Sequence, residues 1–278
     1  MSATAVRASA FLHHLQMQSP APDRLAAFYG GAMDMNAERL PDGRWLCYGP
    51  QRRMLFAQGA AGKLDYAAFA CRDAEGLGEL HARASREGLD PVDVSSPLLS
   101  RAFSVRDPDG NGVVFGLANP DDHDRPGLHG PLQHVTLATF DVGAIEDFYA
   151  GKLGFLVSDR VINDKGGLAT SFMRSNHEHH TLACFLSSRR GVDHHSYEAG
   201  EWNTIRDWAD RFAARNIRLM WGPGRHRPGN NLFVFIADPD GNWIEVSAEL
   251  EVMRDRPVRH WPHAERTLNL WGNAIMRS

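Results

Sequence analysis

With 278 residues, a net charge of -4, 43% apolar and 23% charged residues, the chain is long enough for two ordinary domains and has the composition of a soluble globular protein. That charge balance excludes the electrostatic footprint of a nucleic-acid or anionic-membrane binder. No apolar run approaches the roughly 18 residues of a membrane span, and the N-terminal stretch lacks the basic-then-apolar order of a signal peptide, so a cytoplasmic location is expected. Cys47, Cys71 and Cys184 are odd in number and lack metal-site spacing, which argues against a disulfide framework or a structural zinc. Histidine is the outlier, with 14 copies and three adjacent pairs, His13-His14, His179-His180 and His194-His195. Such pairs make a metal site worth seeking.

In chain order, an internal repeat emerges. FLHHLQMQSPAPDRLAAFYGGAMDM near the start reads like PLQHVTLATFDVGAIEDFYAGKLGF, with His14 and His134, then Phe28-Tyr29 and Phe148-Tyr149, each 120 residues apart. RDPDGNGVVFGLA likewise reads like ADPDGNWIEVSAE, with Asp107 and Asp238 131 residues apart. Helices are predicted over residues 23–33 and 73–87 in the first half. In the second half, strands are predicted over 132–139, 154–161, 169–174 and 181–186, and a helix carries Ile145, Phe148 and Tyr149. A helix over 202–215 shows the stripe Ile205, Trp208, Ala209, Phe212. Each half thus reads as two units of strand, helix and several strands. The expected fold is α+β, with four βαβββ units in two domains, residues 1–120 and 132–250. The Pro-, Gly- and charge-rich stretch at 121–131 is the expected linker, and residues 251–278 are expected to pack over the second domain as a tail or lid.

The stretch RHRPGNNLFVFIADPDGNWIE, residues 225–245, predicts a hairpin whose Asp238-Pro239-Asp240-Gly241 turn has type I preferences. Asp240 and its counterpart Asp109 serve such turns and need no catalytic role. In the second strand Trp243, Glu245 and Ser247 share one face, and Ile244, Val246 and Ala248 share the other. A carboxylate between Ile244 and Val246 is costly to bury unless a cation pairs with it.

These residues resemble the vicinal oxygen chelate superfamily, and within it the two-domain type I extradiol ring-cleaving dioxygenases. The resemblance runs from about Phe11 to Glu249 and is carried by the repeat, the GRH loop and DPDGNxIE. It implies that the metal is held by His134 in LQHVTL, His195 in DHHSYE and Glu245 in NWIEVS, with the site in the C-terminal domain. It also implies that His180 in HEHHTLACF is the acid-base histidine and that His226 of GRH donates a hydrogen bond to the bound substrate. Two imidazoles and a carboxylate leave positions open on an Fe(II) ion, whereas a structural zinc would close all four with protein ligands. Mn(II) accepts the same donors. The implied substrates are O2 and a small aromatic diol, a substituted catechol opened beside the diol in aromatic-compound catabolism. A homo-oligomer is expected, with no nucleic-acid or membrane partner.

The first half serves as an internal control: the Glu245 position falls on Val114 and the His195 position on Ala67, so only His14 remains and no metal is expected there. One departure concerns the substrate. Ten residues before Glu245, where the resembled enzymes usually carry a Tyr that contacts the diol, this chain has Phe235. Tyr197, on the His195 face of its strand, could supply a phenol from another direction. His179 and His194 are expected to face the opposite side of their strands, and His177, His260 and His263 to be surface or lid residues. The alternative activity is that of a metal-dependent, glyoxalase-like isomerase or lyase acting on a chelated carbonyl. A non-catalytic binding module fits less well, because such modules generally lack a full triad.

Overall fold

The structure is a computed structural model that describes residues 3–120 and 127–276; residues 121–126 of the expected linker lie outside them. After a short helix α1 (Thr4–Arg7), the first half runs β1 (Phe11–Ser19), α2 (Pro22–Ala32), β2 (Asn36–Arg39), β3 (Trp45–Gly49), β4 (Arg52–Gln58), β5 (Leu64–Cys71), α3 (Ala74–Arg86), β6 (Val92–Val94), β7 (Leu99–Arg106) and β8 (Gly112–Ala118). The second half runs β9 (Leu132–Thr139), α4 (Val142–Glu146), β10 (Leu156–Ile162), β11 (Leu168–Arg174), β12 (Leu182–Leu186), β13 (Gly191–Glu198), α5 (Trp202–Ala213), β14 (Trp221–Arg225), β15 (Leu232–Ala237) and β16 (Trp243–Ala248). These are four βαβββ units, two per half, in an α+β fold. A last strand, β17 (Arg259–Pro262), and helix α6 (Glu265–Leu268) come from the C-terminal segment.

Each half forms one sheet. The order is β2-β3-β4-β1-β5-β8-β7-β6 in the first and β14-β15-β16-β13-β9-β12-β11-β10-β17 in the second. The first strands of paired units, β1 with β5 and β9 with β13, meet antiparallel at the centre. Local chemistry fixes the elements as the patterning predicts. Asp73 and Asp141 cap α3 and α4 by accepting from the backbone N–H groups of Gly76 and Ala144, the ordinary use of Asp at a helix start. Ile205, Trp208 and Phe212 are the buried stripe of α5. The sequence did not predict that α4 continues as a π-helical turn over Asp147–Lys152, nor that β17 joins the sheet edge beside β10.

One core of buried apolar side chains runs through both halves and includes Leu15, Phe69, Val135, Ile244 and Val246. Two matched contacts cross between the halves. Tyr29 Oη of α2 donates to Asp238 Oδ2 at 3.4 Å, and Tyr149 Oη donates to Asp107 Oδ2 at 3.5 Å. Each Asp heads a DPDG turn and also accepts from the Asn four residues on, Asn242 or Asn111. The repeated Tyr of each half thus docks on the repeated turn of the other. Arg52, fully buried, adds hydrogen bonds to the carbonyls of Met33, Leu128 and Gly130.

Candidate metal centre

The centre of the nine-stranded sheet is β16-β13-β9. Ser196 of β13 pairs with Glu245 on one side and His134 on the other, so these three form a row across adjacent strands. His194, two residues before Ser196, shares their face. His134 Nε2 lies 3.0 Å and His194 Nε2 3.4 Å from Glu245 Oε2, and one donor atom from each residue fits within 4.8 Å of the other two. His134 and Glu245 are 1% exposed. Asn231 Nδ2 donates to Glu245 Oε1 at 3.0 Å and to Ser247 Oγ at 2.9 Å, orienting the carboxylate. Asp193 Oδ2 lies 2.7 Å from His194 Nδ1 and accepts its proton, leaving Nε2 as the free lone pair. A carboxylate behind an imidazole is the usual support of a metal-ligating histidine.

The electrostatics fit a cation. Burial pushes the Glu245 carboxyl up, but His134 and His194 outweigh it and hold it well below the usual carboxylate range. Burial lowers His134, with Glu245 opposing. Burial also disfavours charge on His194, but Asp193 and Glu245 outweigh it and raise that group. An ionised, buried carboxylate with two convergent imidazole nitrogens is a donor set for a divalent first-row metal. Among the described residues no further His, Cys, Asp or Glu joins this group, so protein ligands leave coordination positions open.

His194, rather than His195, therefore completes the cluster, which corrects the ligand expected from the repeat. His195 faces the core between the two halves: it is fully buried, its Nε2 is 3.0 Å from Tyr29 Oη, and the two rings stack at 6.0 Å. Burial lowers it to about 3. Tyr197 is fully buried on the same face, its ring 5.5 Å from that of His195, so the substrate contact expected of it is corrected as well. The physical reason is a register shift between Val192 and His194. That bulge puts the apolar Val192 out of step with Tyr197 and Ala199, whose parity marks the core face. Tyr197 and Ala199 were the signal in the sequence that His195 points inward. In the first half, the position equivalent to His194 is likewise Tyr66 rather than Ala67, beside His14 and Val114.

The cluster opens into a cavity lined by His180, His226, Phe172, Phe185, Trp221, Phe235 and, from the C-terminal segment, His263, Leu268 and Ile275. The rings of His180 and His134 are 4.2 Å apart. Burial, then the neighbouring His134 and His179, push His180 well below its ordinary value. His226 Nδ1 is held by the Leu268 carbonyl, and its Nε2 lies 3.8 Å from Glu245 Oε1; burial lowers it to about 4. Phe235 sits directly across the hairpin from Glu245, edge-on to His194 at 5.2 Å and stacked on Trp221 at 5.3 Å. The sequence reading assigned no role to Asp193, Asn231 or Trp221 here, and His263, expected as a surface or lid residue, lines the cavity.

Paired βαβββ units with two histidines and a glutamate at the sheet centre define a vicinal-oxygen-chelate architecture. Residues 132–246, 115 of the 278, match the profile of the Glyoxalase/Bleomycin resistance protein/Dioxygenase superfamily. The chain is 33% identical over 145 residues to metapyrocatechase 2 of Cupriavidus necator, a match covering 51% of this chain and 44% of that one. The chain thus matches less than half the length of this relative. Among solved structures, a variant of homoprotocatechuate 2,3-dioxygenase from Brevibacterium fuscum superposes with a TM-score of 0.82 at 20% identity, covering 95% of this chain and 79% of that one. The Mn(II)-bound glyoxalase from Novosphingobium aromaticivorans also superposes with a TM-score of 0.82 at 20% identity, covering 95% and 91%. At that identity these two establish the fold.

Proposed function

We propose that this protein is an Fe(II)-dependent extradiol dioxygenase that uses O2 to open the ring of a substituted catechol next to the diol. The observation that carries this reading is an open two-His-one-carboxylate cluster with two further histidines, His180 and His226, facing the same apolar cavity. The name of the Cupriavidus relative supports it. His134, His194 and Glu245 would hold the ion, which when bound supplies a chelation point for the diol and brings catechol and O2 together; Mn(II) accepts the same donors.

This chain's residues account for the remaining steps. His180, kept neutral by burial, takes a proton from the diol as it binds and returns it as the ring opens. His226, whose Nδ1–H donates to the Leu268 carbonyl, presents the Nε2 lone pair to the cavity as an acceptor for a substrate hydroxyl, not the donor expected from the resemblance. Phe172, Trp221 and Phe235 supply a wall for an apolar ring substituent and exclude water. Among the described residues lining the cavity there is no Lys or Arg, which favours an uncharged substituent. We read the two sheets as two domains, residues 1–120 and 132–250, with 251–278 covering the cavity, and place the enzyme in cytoplasmic aromatic-compound catabolism. Among the described residues no helix is long and apolar enough to cross a membrane.

Oxygen uptake by anaerobically iron-loaded protein over a panel of catechols tests this. Uptake of O2 matched to catechol, with a yellow ring-fission product, is the expected result. A second reading, a glyoxalase-like isomerase, is favoured by the likeness to the Mn(II)-bound glyoxalase and by the absence of a phenol at Phe235. Conversion of a hemithioacetal without O2 uptake would select it.

A further inference from the structure

A line of buried polar side chains leads from the cavity to the edge of the sheet. His180 Nδ1 is 3.0 Å from His179 Nδ1. His179 is fully buried, and its Nε2 lies 3.0 Å from Oδ2 of Asp159 in β10. Asp159, also fully buried, is held on both oxygens by the C-terminal segment. Its Oδ2 accepts from Trp261 Nε1 at 2.8 Å, and its Oδ1 accepts from Arg256 Nη1 at 2.8 Å and from the Arg259 backbone N–H at 3.2 Å. Burial pushes this carboxyl up, but His179, Trp261 and Arg256 outweigh it and hold it at about 2. Asp159 is therefore an acceptor only.

The donor and acceptor inventory then fixes each ring. With the Asp159 carboxylate oxygen 3.0 Å away, Nε2 is the nitrogen of His179 that carries the ring proton, and Nδ1 is left to accept. His180 Nδ1 must supply the hydrogen between the two rings, and His180 Nε2, the nitrogen left for the cavity, carries a lone pair. We propose that His179 and Asp159 are positioning residues that hold His180 in the tautomer and orientation of a base facing the substrate. This rests on the proposed function only in giving His180 a proton to accept. A side chain 21 residues upstream of His180, clamped by Trp261 and Arg256, thereby decides which nitrogen of His180 does chemistry.

Asp159→Asn is the informative variant. Arg256 and the Arg259 N–H, two donors at Oδ1 against the single Trp261 N–H at Oδ2, keep the amide oxygen at the Oδ1 position, so the NH2 group faces His179 Nε2 and donates to it. That moves the His179 proton to Nδ1 and the His180 proton to Nε2. Nitrogen NMR of iron-free protein carrying isotope-labelled histidine, with His180 assigned by the signal lost in His180→Asn, should show the Nδ1–H tautomer in the parent. It should show the Nε2–H form in Asp159→Asn. In iron-loaded protein kcat should fall by roughly 100-fold or more with KM and iron content little changed, as when a catalytic histidine is put in the wrong tautomer. His179→Leu should fall similarly, and His179→Asn, whose Oδ1 can accept from His180 Nδ1, should recover most of the loss. An unchanged tautomer in Asp159→Asn overturns the proposal, whatever happens to kcat. A switched tautomer in a protein that consumes no O2 with any catechol would uphold the positioning role and remove the dioxygenase reading instead.

Discussion

His194 and His195 are neighbours in β13 and serve opposite faces of one sheet. His194 Nε2 is 3.4 Å from Glu245, and His195 Nε2 is 3.0 Å from Tyr29. Substitution separates the two roles. His194→Ala should lose bound metal and oxygenase activity together while the fold persists. His195→Ala should keep about one metal per chain and instead lose roughly 1–3 kcal/mol of stability, the cost of leaving a buried polar partner unmatched. Metal analysis and urea unfolding on both variants check this, and metal loss in His195→Ala alone would reverse the assignment.

Replacing His180 with Ala should leave the metal in place, since its ring packs against His134 without joining the ligand cluster. Turnover should slow by roughly 100- to 10,000-fold, the range for a general acid-base group. Steady-state oxygen uptake alongside iron content gives the answer, and full activity would dismiss His180 from the reaction.

Phe235 sits across the hairpin from Glu245, and under the proposed function a phenol there would reach the diol. Phe235→Tyr should raise kcat/KM for unsubstituted catechol by roughly tenfold or more, the worth of one hydrogen bond to a charged oxygen. The gain should shrink for catechols with a bulky apolar substituent that already fills the wall against Trp221. Equal gains across the series would show that this wall does not contact the substituent.

Acid should destabilise the metal-free protein in a defined window. In the unfolded chain a histidine takes up its proton near pH 6.5, whereas His195 in the fold resists until about 3. Between those values the unfolded state binds the extra proton, so stability is present in full above pH 6.5 and falls as pH drops through the window. The slope is up to roughly 1.4 kcal/mol per pH unit for each such group, and the partly buried His226, lowered to about 4, adds to it. Urea midpoints of iron-free protein at several pH values should decline accordingly, and His195→Asn should decline less steeply.

Much of this architecture could be read from residues. The 120-residue offset of His14 and His134, the matched Phe-Tyr pairs and the two DPDG turns revealed the repeat, because each is a local solution used twice. Glu245 was legible because a carboxylate between Ile244 and Val246 has no bland explanation. The choice between His194 and His195 was only half legible: Tyr197 and Ala199 share the parity of His195 and mark it as inward-facing, but the apolar Val192 has the opposite parity because a bulge at Val192–His194 resets it. The contribution of Asp159 to the site was hidden. Its nearness to His179 comes from pairing β10 with β11 and adding β17 at the edge, and no spacing in the chain records that.

The exchanged contacts of Tyr29 with Asp238 and Tyr149 with Asp107 tie the half that carries the His-His-Glu cluster to its partner. Cut free, each half would keep the bonds within its own repeated turn but lose the partner's tyrosine from it, and Tyr29 also supplies the partner of His195 behind the ligand strand. The half without the ligand set thereby contributes contacts that the interior of the other uses. Melting of the chain should accordingly be a single cooperative event, with the metal stabilising residues on both sides of the divide.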